Sequence, residues 1–263
     1  MEAASSSFAR SLRIQGRVLH ACLMREIITR FGRDNLGVLW LVAEPMLFTL
    51  GVAALWTAAG MNHNSAMPII AFAITGYSSV LLWRNCATRC SMALEQNKGL
   101  LYHRNVRVID ILLTRCLLEI GGATGSFTIL SITFVAAGLM PLPDDPLMVL
   151  AGWALLVWFG TCMGLVIGGA TAFSDIAEKL WHPAAYLLFP LSGAAFMVDW
   201  LPPALQEAVL LLPMVHGVEL LRDGYFGHAV RTHYNVEYMA VICLAMTLVG
   251  LHLTREAGHR LEG

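Results

Sequence analysis

Charged side chains inside apolar sequence are the residues of this chain that could do chemistry. At such positions ionisable groups form proton relays, substrate pathways or ion pairs between helices. They are Glu44, Arg115, Glu119, Glu219 and Arg222. The second and third are four residues apart and the last two are three apart. Each of these two couples therefore shares a helical face and is predicted to form an ion pair.

Glu44 has the most open interpretation, because Pro45 follows it within a long apolar run. A carboxylate at that depth faces water, as in a translocation path, or bonds a neighbouring helix. Alternatively, it makes a structural hydrogen bond beside the proline, which removes a backbone donor from its own helix. Both interpretations stay open on the sequence alone.

Familiar catalytic and nucleotide-binding motifs are missing from the sequence. It has no HExxH and no GxSxG, and its six cysteines form neither a CxxC pair nor a ligand-like cluster. The only lysines, Lys98 and Lys179, do not complete the P-loop pattern GxxxxGK[ST]. We therefore expect no enzyme active site, cofactor or metal, and any ATP that drives transport must bind another polypeptide.

Composition points to a membrane protein. Of the 263 residues, 57% are hydrophobic and 13% are charged, whereas about a quarter are charged in soluble domains. The net charge of −1 makes nucleic acid an unexpected partner. Six stretches approach the length that a membrane helix needs: Leu36–Gly60, Met67–Trp83, Ile111–Leu139, Pro146–Phe173, Leu180–Val198 and Tyr238–Leu253. The predicted fold is all-α, with six transmembrane helices in a domain at 36–254.

An amphipathic helix is predicted before the first span, within residues 1–35. At 100° per residue, one face is apolar and the opposite face is basic. The apolar residues are Phe8, Leu12, Leu19 and Leu23, and the basic residues are Arg10, Arg13 and Arg17. This pattern is typical of a helix that lies in the lipid headgroup region. The alternative is an ordinary amphipathic helix packed on protein.

Residues 200–226 form a further apolar stretch that is interrupted by prolines at 202, 203 and 213. Proline cannot continue a helix, so we expect two short helices, which enter and leave the membrane on the same side. Such a re-entrant pair is tolerated only where protein covers it or where it lines water. The alternative is a helical hairpin outside the bilayer.

The distribution of positive charge predicts the orientation. Every Lys and Arg except Arg222 and Arg231 falls in segments that six spans would place on one side. Cytoplasmic segments carry the excess of positive charge. Both termini, including a tail at 255–263, are therefore predicted to be cytoplasmic.

Three groups of residues can be compared with known motifs: Arg25–Gly32 with Leu36–Trp40 and Glu44-Pro45, Asn97–Tyr102 with Val108–Arg115 and Leu117–Glu119, and Pro213–Gly224. Together they resemble an ABC-2 type permease, and more narrowly the KpsM-type subunits of capsular polysaccharide exporters and the related O-antigen permeases. The resemblance extends over nearly the whole chain. It implies six transmembrane helices, an N-terminal interfacial helix and a re-entrant pair between spans five and six.

The resemblance also implies a function and partners. The chain would be the permease subunit of an ATP-driven exporter of lipid-linked capsular polysaccharide in the bacterial inner membrane. Its partners would be a second copy of itself, two ATPase subunits, a periplasmic adaptor and an outer-membrane exporter. O-antigen, teichoic acid, drugs and small lipids remain alternative substrates. An envelope-synthesis enzyme or assembly factor embedded in the membrane is the alternative from another class.

Site residues follow from this reading of the chain. The basic segment 84–107 is interpreted as the element that docks on the ATPase, and the alternative is a plain positive loop. Its tip comprises Asn97, Lys98, Gly99, Leu100, Leu101 and Tyr102. The exit gate is expected at 200–226, with its site at Pro213, His216, Glu219 and Arg222.

Aromatic rings stack on the C–H faces of sugars, so aromatic residues in the spans are candidates to line a glycan path. Those chosen, together with Glu44 and Pro45, are Trp40, Tyr77, Trp153 and Trp158. The alternative is that they anchor the protein at the membrane interface or fill its lipid-facing surface. Gly160, Gly164 and Gly168, at four-residue steps, predict a smooth strip where another helix approaches closely.

Overall fold

A computed structural model describes residues 2–31, 36–60, 67–101 and 106–262. Within these ranges the regular elements are α-helices and two short 3₁₀ turns, which confirms the all-α class. The helices are α1 Glu2–Phe31, α2 Leu36–Ala58, α3 Ile69–Ser91, α4 Ala93–Gln96, α5 Lys98–Leu101, α6 Val108–Ala136, α7 Pro146–Thr171, α8 Asp175–Leu191, α9 Pro203–Val209, α10 Pro213–Phe226 and α11 Val236–Glu262.

Four of the described helices are long and apolar enough to cross a membrane: α2, α6, α7 and α11. The number rises to five if α9 and α10, which bend by 106° at the break between them, form one broken span. The predicted second and fifth spans correspond to α3 and α8 and are not among these helices. Six crossings and the re-entrant arrangement therefore stay predictions.

Helices α3 and α8 differ from the other predicted spans for separate reasons. Helix α3 has 23 residues, but none of them is exposed. A helix that is enclosed by protein can carry polar residues, and α3 does. Helix α8 has 17 residues, and its first turn is acidic at Asp175 and Glu178. Its apolar part is therefore shorter than the predicted span.

The predicted glycine strip on α7 is confirmed, and it brings α3 and α6 close to α7. A β-carbon on Gly160 would lie 3.0 Å from the Cα of Trp83, and one on Gly164 would lie 2.8 Å from Cys116 Sγ. One on Gly168 would lie 2.6 Å from Leu112 Cδ2. Larger residues at these positions would push the helices apart, so the glycines fix the centre of the domain.

Helices α2 and α6 meet at another close contact. Pro45 has no N–H, so the Leu41 carbonyl lacks the donor that would normally lie one turn later. Gly122 of α6 lies against this carbonyl, and a β-carbon there would be 2.6 Å from Leu41 O. This approach places the carboxylate of Glu44, one turn along α2, beside α6.

Helix α1 is longer than the predicted amphipathic stretch, and its second half packs on the rest of the chain. Cys22 and Glu26 are buried, and Leu19 and Leu23 on the same face are half-buried. Arg10, Arg13 and Arg17, the predicted basic face, are exposed. Packing on protein, the alternative weighed for this helix, therefore describes its second half. A position in the headgroup region remains a prediction for the first half.

Candidate functional site

Six charged side chains meet where α1, α2, α3 and α6 come together, and we call them the α6 ion-pair network. They are Glu26, Arg30, Glu44, Arg89, Arg115 and Glu119. At its centre, Glu119 pairs with Arg30, and its Oε1 also lies 3.4 Å from Arg89 Nε. Glu119 and Arg115 are almost fully buried. Removal of one partner from such a pair costs about 3–5 kcal/mol, because the remaining charge stays buried.

The predicted pair between Arg115 and Glu119 is wrong. Arg115 Nε instead lies 3.0 Å from Glu26 Oε1 of α1, and its Nη2 donates to Gln96 Oε1 at 2.8 Å. Both α6 residues thus pair with other elements, because α1 and α3 bring opposite charges against the buried side of α6.

Glu44 bonds neighbouring helices, one of the roles considered for it. Its Oε1 lies 3.3 Å from Arg89 Nη2 and its Oε2 lies 3.6 Å from Arg30 Nη2. The side chain is still 48% exposed, so it borders open space while it ties α2 to α1 and α3. Beside it, the Thr49 hydroxyl donates to the Pro45 carbonyl at 3.0 Å.

The segment interpreted as the ATPase docking element is largely helical, since α3 continues to Ser91 and α4 and α5 follow. Asn97 between them is buried; its Oδ1 accepts from Arg25 Nη1 at 2.7 Å and its amide donates to Ala93 O at 2.9 Å. Leu100 and Leu101 are half-buried beside an apolar cluster of α3 and α6. Gly99 has open space around it. Tyr102 and the side chain of Lys98 lie outside the described part of the chain.

A cleft of about 450 Å³ lies next to this segment. On one side it is lined by Leu101, Val106 and Ile109, and on the other by Leu251 and His259 of α11. The end of α11, which includes most of the predicted tail, is thus part of the surface around α5. The sequence contains no spacing that relates these two segments.

A series of aromatic rings joins α2, α3 and α8. The ring centroid of Tyr77 lies 5.7 Å from Phe189, 6.0 Å from Phe48 and 5.4 Å from Trp56. The ring of Trp56 stacks on Phe72 at 6.0 Å, and Phe72 stacks on Trp200 at 5.3 Å. Tyr77 and Phe72 are buried, whereas Phe48 is 42% exposed and Trp200 is 41% exposed. The open rings are therefore backed by enclosed ones.

Arg84 continues this series towards the end of α3 that leads into α4. Its guanidinium carbon lies 5.1 Å from the ring centroid of Tyr186 and 5.6 Å from that of Phe189. Tyr186 is 68% exposed. From Phe72 to Arg84, the series follows about 18 Å of helix at a rise of 1.5 Å per residue. The sequence pattern predicts for Arg84 only a place among the cytoplasmic charges.

The three predicted tryptophans are placed differently. Trp153 is buried, and its indole N–H donates to the Thr124 hydroxyl at 3.0 Å. Trp158 makes the same kind of bond to Thr247 of α11 at 3.0 Å. Trp40 is 54% exposed near the start of α2. The first two thus connect helices of the chain, and none of the three belongs to the aromatic series around Tyr77.

Helix α10 begins at Pro213, which is half-buried, and the other three predicted gate residues, His216, Glu219 and Arg222, are buried within it. His216 Nδ1 accepts from Asn235 N at 3.0 Å, so the ring proton is on Nε2, which donates to Leu210 O at 2.8 Å. The Glu219 carboxylate accepts from His233 N at 3.0 Å and from Val198 N at 3.3 Å. These two side chains hold the segments that precede and follow α10.

Arg222 does not pair with Glu219 in the described structure, so that prediction is wrong. Its guanidinium donates to the carbonyls of Gly193 and Phe196 at 2.6 and 2.7 Å and to that of Ala194 at 2.7 Å. The guanidinium carbon also lies 3.8 Å from the ring centroid of Phe72. The turn after α8, where Gly193 has a φ of 82°, supplies carbonyls that point inward and take the place of a carboxylate.

The sequence of this chain matches a known protein family. The model of the ABC-2 type transporter family matches residues 17–226. The chain belongs to this family. The matched region contains α1 from Arg17 onward, the α6 ion-pair network and all of α10.

Relatives within the ABC-2 family match the chain over almost its whole length. It is 42% identical to the capsule polysaccharide export inner-membrane protein CtrC of Neisseria meningitidis, over 98% of this chain and 97% of CtrC. It is 40% identical to the protein of the same description, BexB, from Haemophilus influenzae, with the same coverage. It is 27% identical to the polysialic acid transport protein KpsM of Escherichia coli, over 92% of this chain and 94% of KpsM.

Proposed function

We propose that this chain is the transmembrane permease subunit of an ATP-driven exporter that moves lipid-linked capsular polysaccharide across the bacterial inner membrane. The observation that carries the proposal is the match at 40–42% identity to two capsule export proteins of the inner membrane, over 98% of the chain. The all-helical fold with four or five candidate membrane spans supports it. An O-antigen, teichoic acid or small-lipid exporter is the alternative within the family.

The exporter would contain two copies of this chain and two separate ATPase subunits, with both termini in the cytoplasm. Capsule leaves through two membranes in Gram-negative bacteria, so a periplasmic adaptor and an outer-membrane exporter complete the proposed assembly. The surface proposed for the ATPase is α4–α5 with the cleft of about 450 Å³ beside it. Leu100 and Leu101 lie there, half-buried and at the edge of an apolar cluster.

The path proposed for the glycan runs along the aromatic series. Its exposed members, Phe48, Tyr186 and Trp200, would stack on sugar rings, while Tyr77 supports them from behind. Glu44 and the proline that follows it border the same face of α2, one turn before Phe48. Arg84 lies among the open rings and carries the opposite charge to an acidic glycan. The proposed role of Trp153 and Trp158 is to hold the helices that surround the path.

At the other end of the path we assign α10 a fixed position. Its polar side chains bond loops on both sides of it, and each break would leave a buried polar group without a partner. Most of the short helix α9 is exposed, by contrast. In the proposed exit gate, α9 is therefore the part that moves, and Pro213 lies at the bend between the two helices.

Deletion of the gene in the organism that encodes it tests the proposed function. We expect surface polysaccharide to disappear, lipid-linked polysaccharide to accumulate inside the cell, and a plasmid copy to reverse both. A deletion strain that retains its surface polysaccharide would contradict export. A second measurement is purification of the tagged chain from membranes, which should recover an ATPase whose ATP hydrolysis depends on the permease.

A further inference from the structure

We propose that the last two turns of α1 are a joint that transmits movement of α4–α5 to α2. This inference rests on the proposed function, because it assumes that an ATPase subunit displaces α4 and α5. Helix α1 makes polar contacts to the docking segment on one side and to α2 on the other. Its residues Arg25, Glu26 and Arg30, which we call the joint residues, carry these contacts.

On the side of the docking segment, two amide side chains are bound. Arg25 Nη1 donates to Asn97 Oδ1 at 2.7 Å. Gln96 Oε1 accepts from Arg115 Nη2 at 2.8 Å, and Arg115 Nε lies 3.0 Å from Glu26 Oε1. A displacement of α4 therefore reaches α1 both directly and through one side chain of α6.

On the side of α2, Arg30 pairs with Glu119 and lies 3.6 Å from Glu44. Arg89 of α3 lies within 3.4 Å of the same two carboxylates. Arg25 and Arg30 are separated by about 7.5 Å of continuous helix, at a rise of 1.5 Å per residue. The two sets of contacts are thus on one short rigid segment.

Burial makes these contacts respond together. Glu26, Arg115 and Glu119 are at most 9% exposed, and a charge separated from its partner in such a place is strongly disfavoured. The elements must move together, or the pairs must exchange as a set. An exchange is feasible because the network holds three arginines and three glutamates, which can be paired in more than one way. A set with two arrangements is the kind of element through which two sites can be coupled.

A charge exchange between α1 and α6 tests the joint. The variants are Glu26→Arg, Arg115→Glu and the double variant, purified as complexes with the ATPase and compared by polysaccharide exported per ATP hydrolysed. We expect each single variant to keep its ATPase and its ATP hydrolysis. Export per ATP should fall at least about fivefold, the lower end of measured couplings between sites. The double variant should recover most of the loss. Single variants with the wild-type ratio, or a double variant no better than the singles, overturn the proposal.

A conservative variant covers the case in which the charge reversals fail to fold. Arg30→Lys keeps the charge, but an ammonium group lacks the guanidinium fork that reaches Glu44 and Glu119 together. It should lower export per ATP with the ATPase still bound, and an unchanged ratio overturns the joint. Arg17→Gln, on the exposed face of α1, is the matched control and should match wild type. A wild-type complex that binds no ATPase or exports no polysaccharide contradicts the proposed function instead.

Discussion

At the scale of single residues, the neighbouring glycines Gly121 and Gly122 differ in how closely another helix approaches them. A β-carbon at Gly122 would meet the Leu41 carbonyl at 2.6 Å, whereas one at Gly121 would meet nothing within 4 Å. Gly122→Ala should therefore push α2 from α6 and destabilise the protein by about 1–3 kcal/mol, as overpacking does. Gly121→Ala should be neutral or stabilising by up to about 1 kcal/mol, since alanine favours helix. Thermal unfolding in detergent compares the two, and equal melting temperatures would contradict the close contact.

Spacing within the sequence predicted some residue contacts and missed others. Gly160, Gly164 and Gly168 were predicted correctly, because a strip of small residues on one helix is visible in the sequence of that helix alone. The ion pairs of Arg115 with Glu26 and of Glu119 with Arg30 were not predicted, because the two partners in each pair are 89 residues apart in the chain. Spacing shows which charges share a helix face, but not which foreign helix brings a better partner.

At the scale of helices, α5 is the element on which the docking proposal depends. Leu100→Asp with Leu101→Asp places two charges at the half-buried edge of α5. The double variant should insert normally but bind the ATPase at least about tenfold more weakly, as expected when an apolar contact of about 1.4 kcal/mol or more is lost. Co-purification of the ATPase measures this. Leu142→Asp, an exposed change in the segment between α6 and α7, is the control. Normal recovery of the ATPase with the double variant would remove the docking assignment.

Helix α10 supplies a second test at this scale. Asp223 accepts from the hydroxyl of Thr232 at 3.0 Å, which places the two side chains in contact. Cysteines at both positions should form a disulfide that locks α10 to the following loop. If α10 is fixed, as proposed, oxidised cells should still export polysaccharide at nearly the rate of reduced cells. Export that stops on oxidation and returns with dithiothreitol would show that α10 itself moves. The two single cysteine variants are the controls.

At the scale of the whole molecule, the number of crossings decides the arrangement of every other part. Reporter fusions at residue 20, Lys98, Lys179 and the C-terminus are expected to report a cytoplasmic position, and those at Asp144 and Arg231 an external one. The fusion at Lys98 is the most informative, because α3 must cross for residue 20 and Lys98 to share a side. An external signal at Lys98 would eliminate the six-span arrangement.

The polarity of α3 also explains why composition predicted the class of protein correctly while the number of individual spans stayed open. Low charge and high apolar content identified a membrane domain, since most of the long helices expose large apolar residues. Helix α3 has no exposed residue along its whole length. Protein rather than lipid therefore surrounds its polar side chains, such as Thr75, Ser79 and Arg84, so the cost of placing them in lipid does not apply. The sequence of α3 alone does not show that other helices surround it.

Enclosure of α3 has a consequence for how the chain is made. Helices leave the ribosome in order, and α3 emerges before α6 and α7, the two helices whose surfaces cover it. Until both have been synthesised, its hydroxyl groups and arginines lack those neighbours, and entry into lipid is unfavourable. Helix α3 is thus expected to wait at the translocon, beside α2, until α7 arrives. Biogenesis of this protein is then a cooperative event among at least four helices rather than a succession of independent insertions.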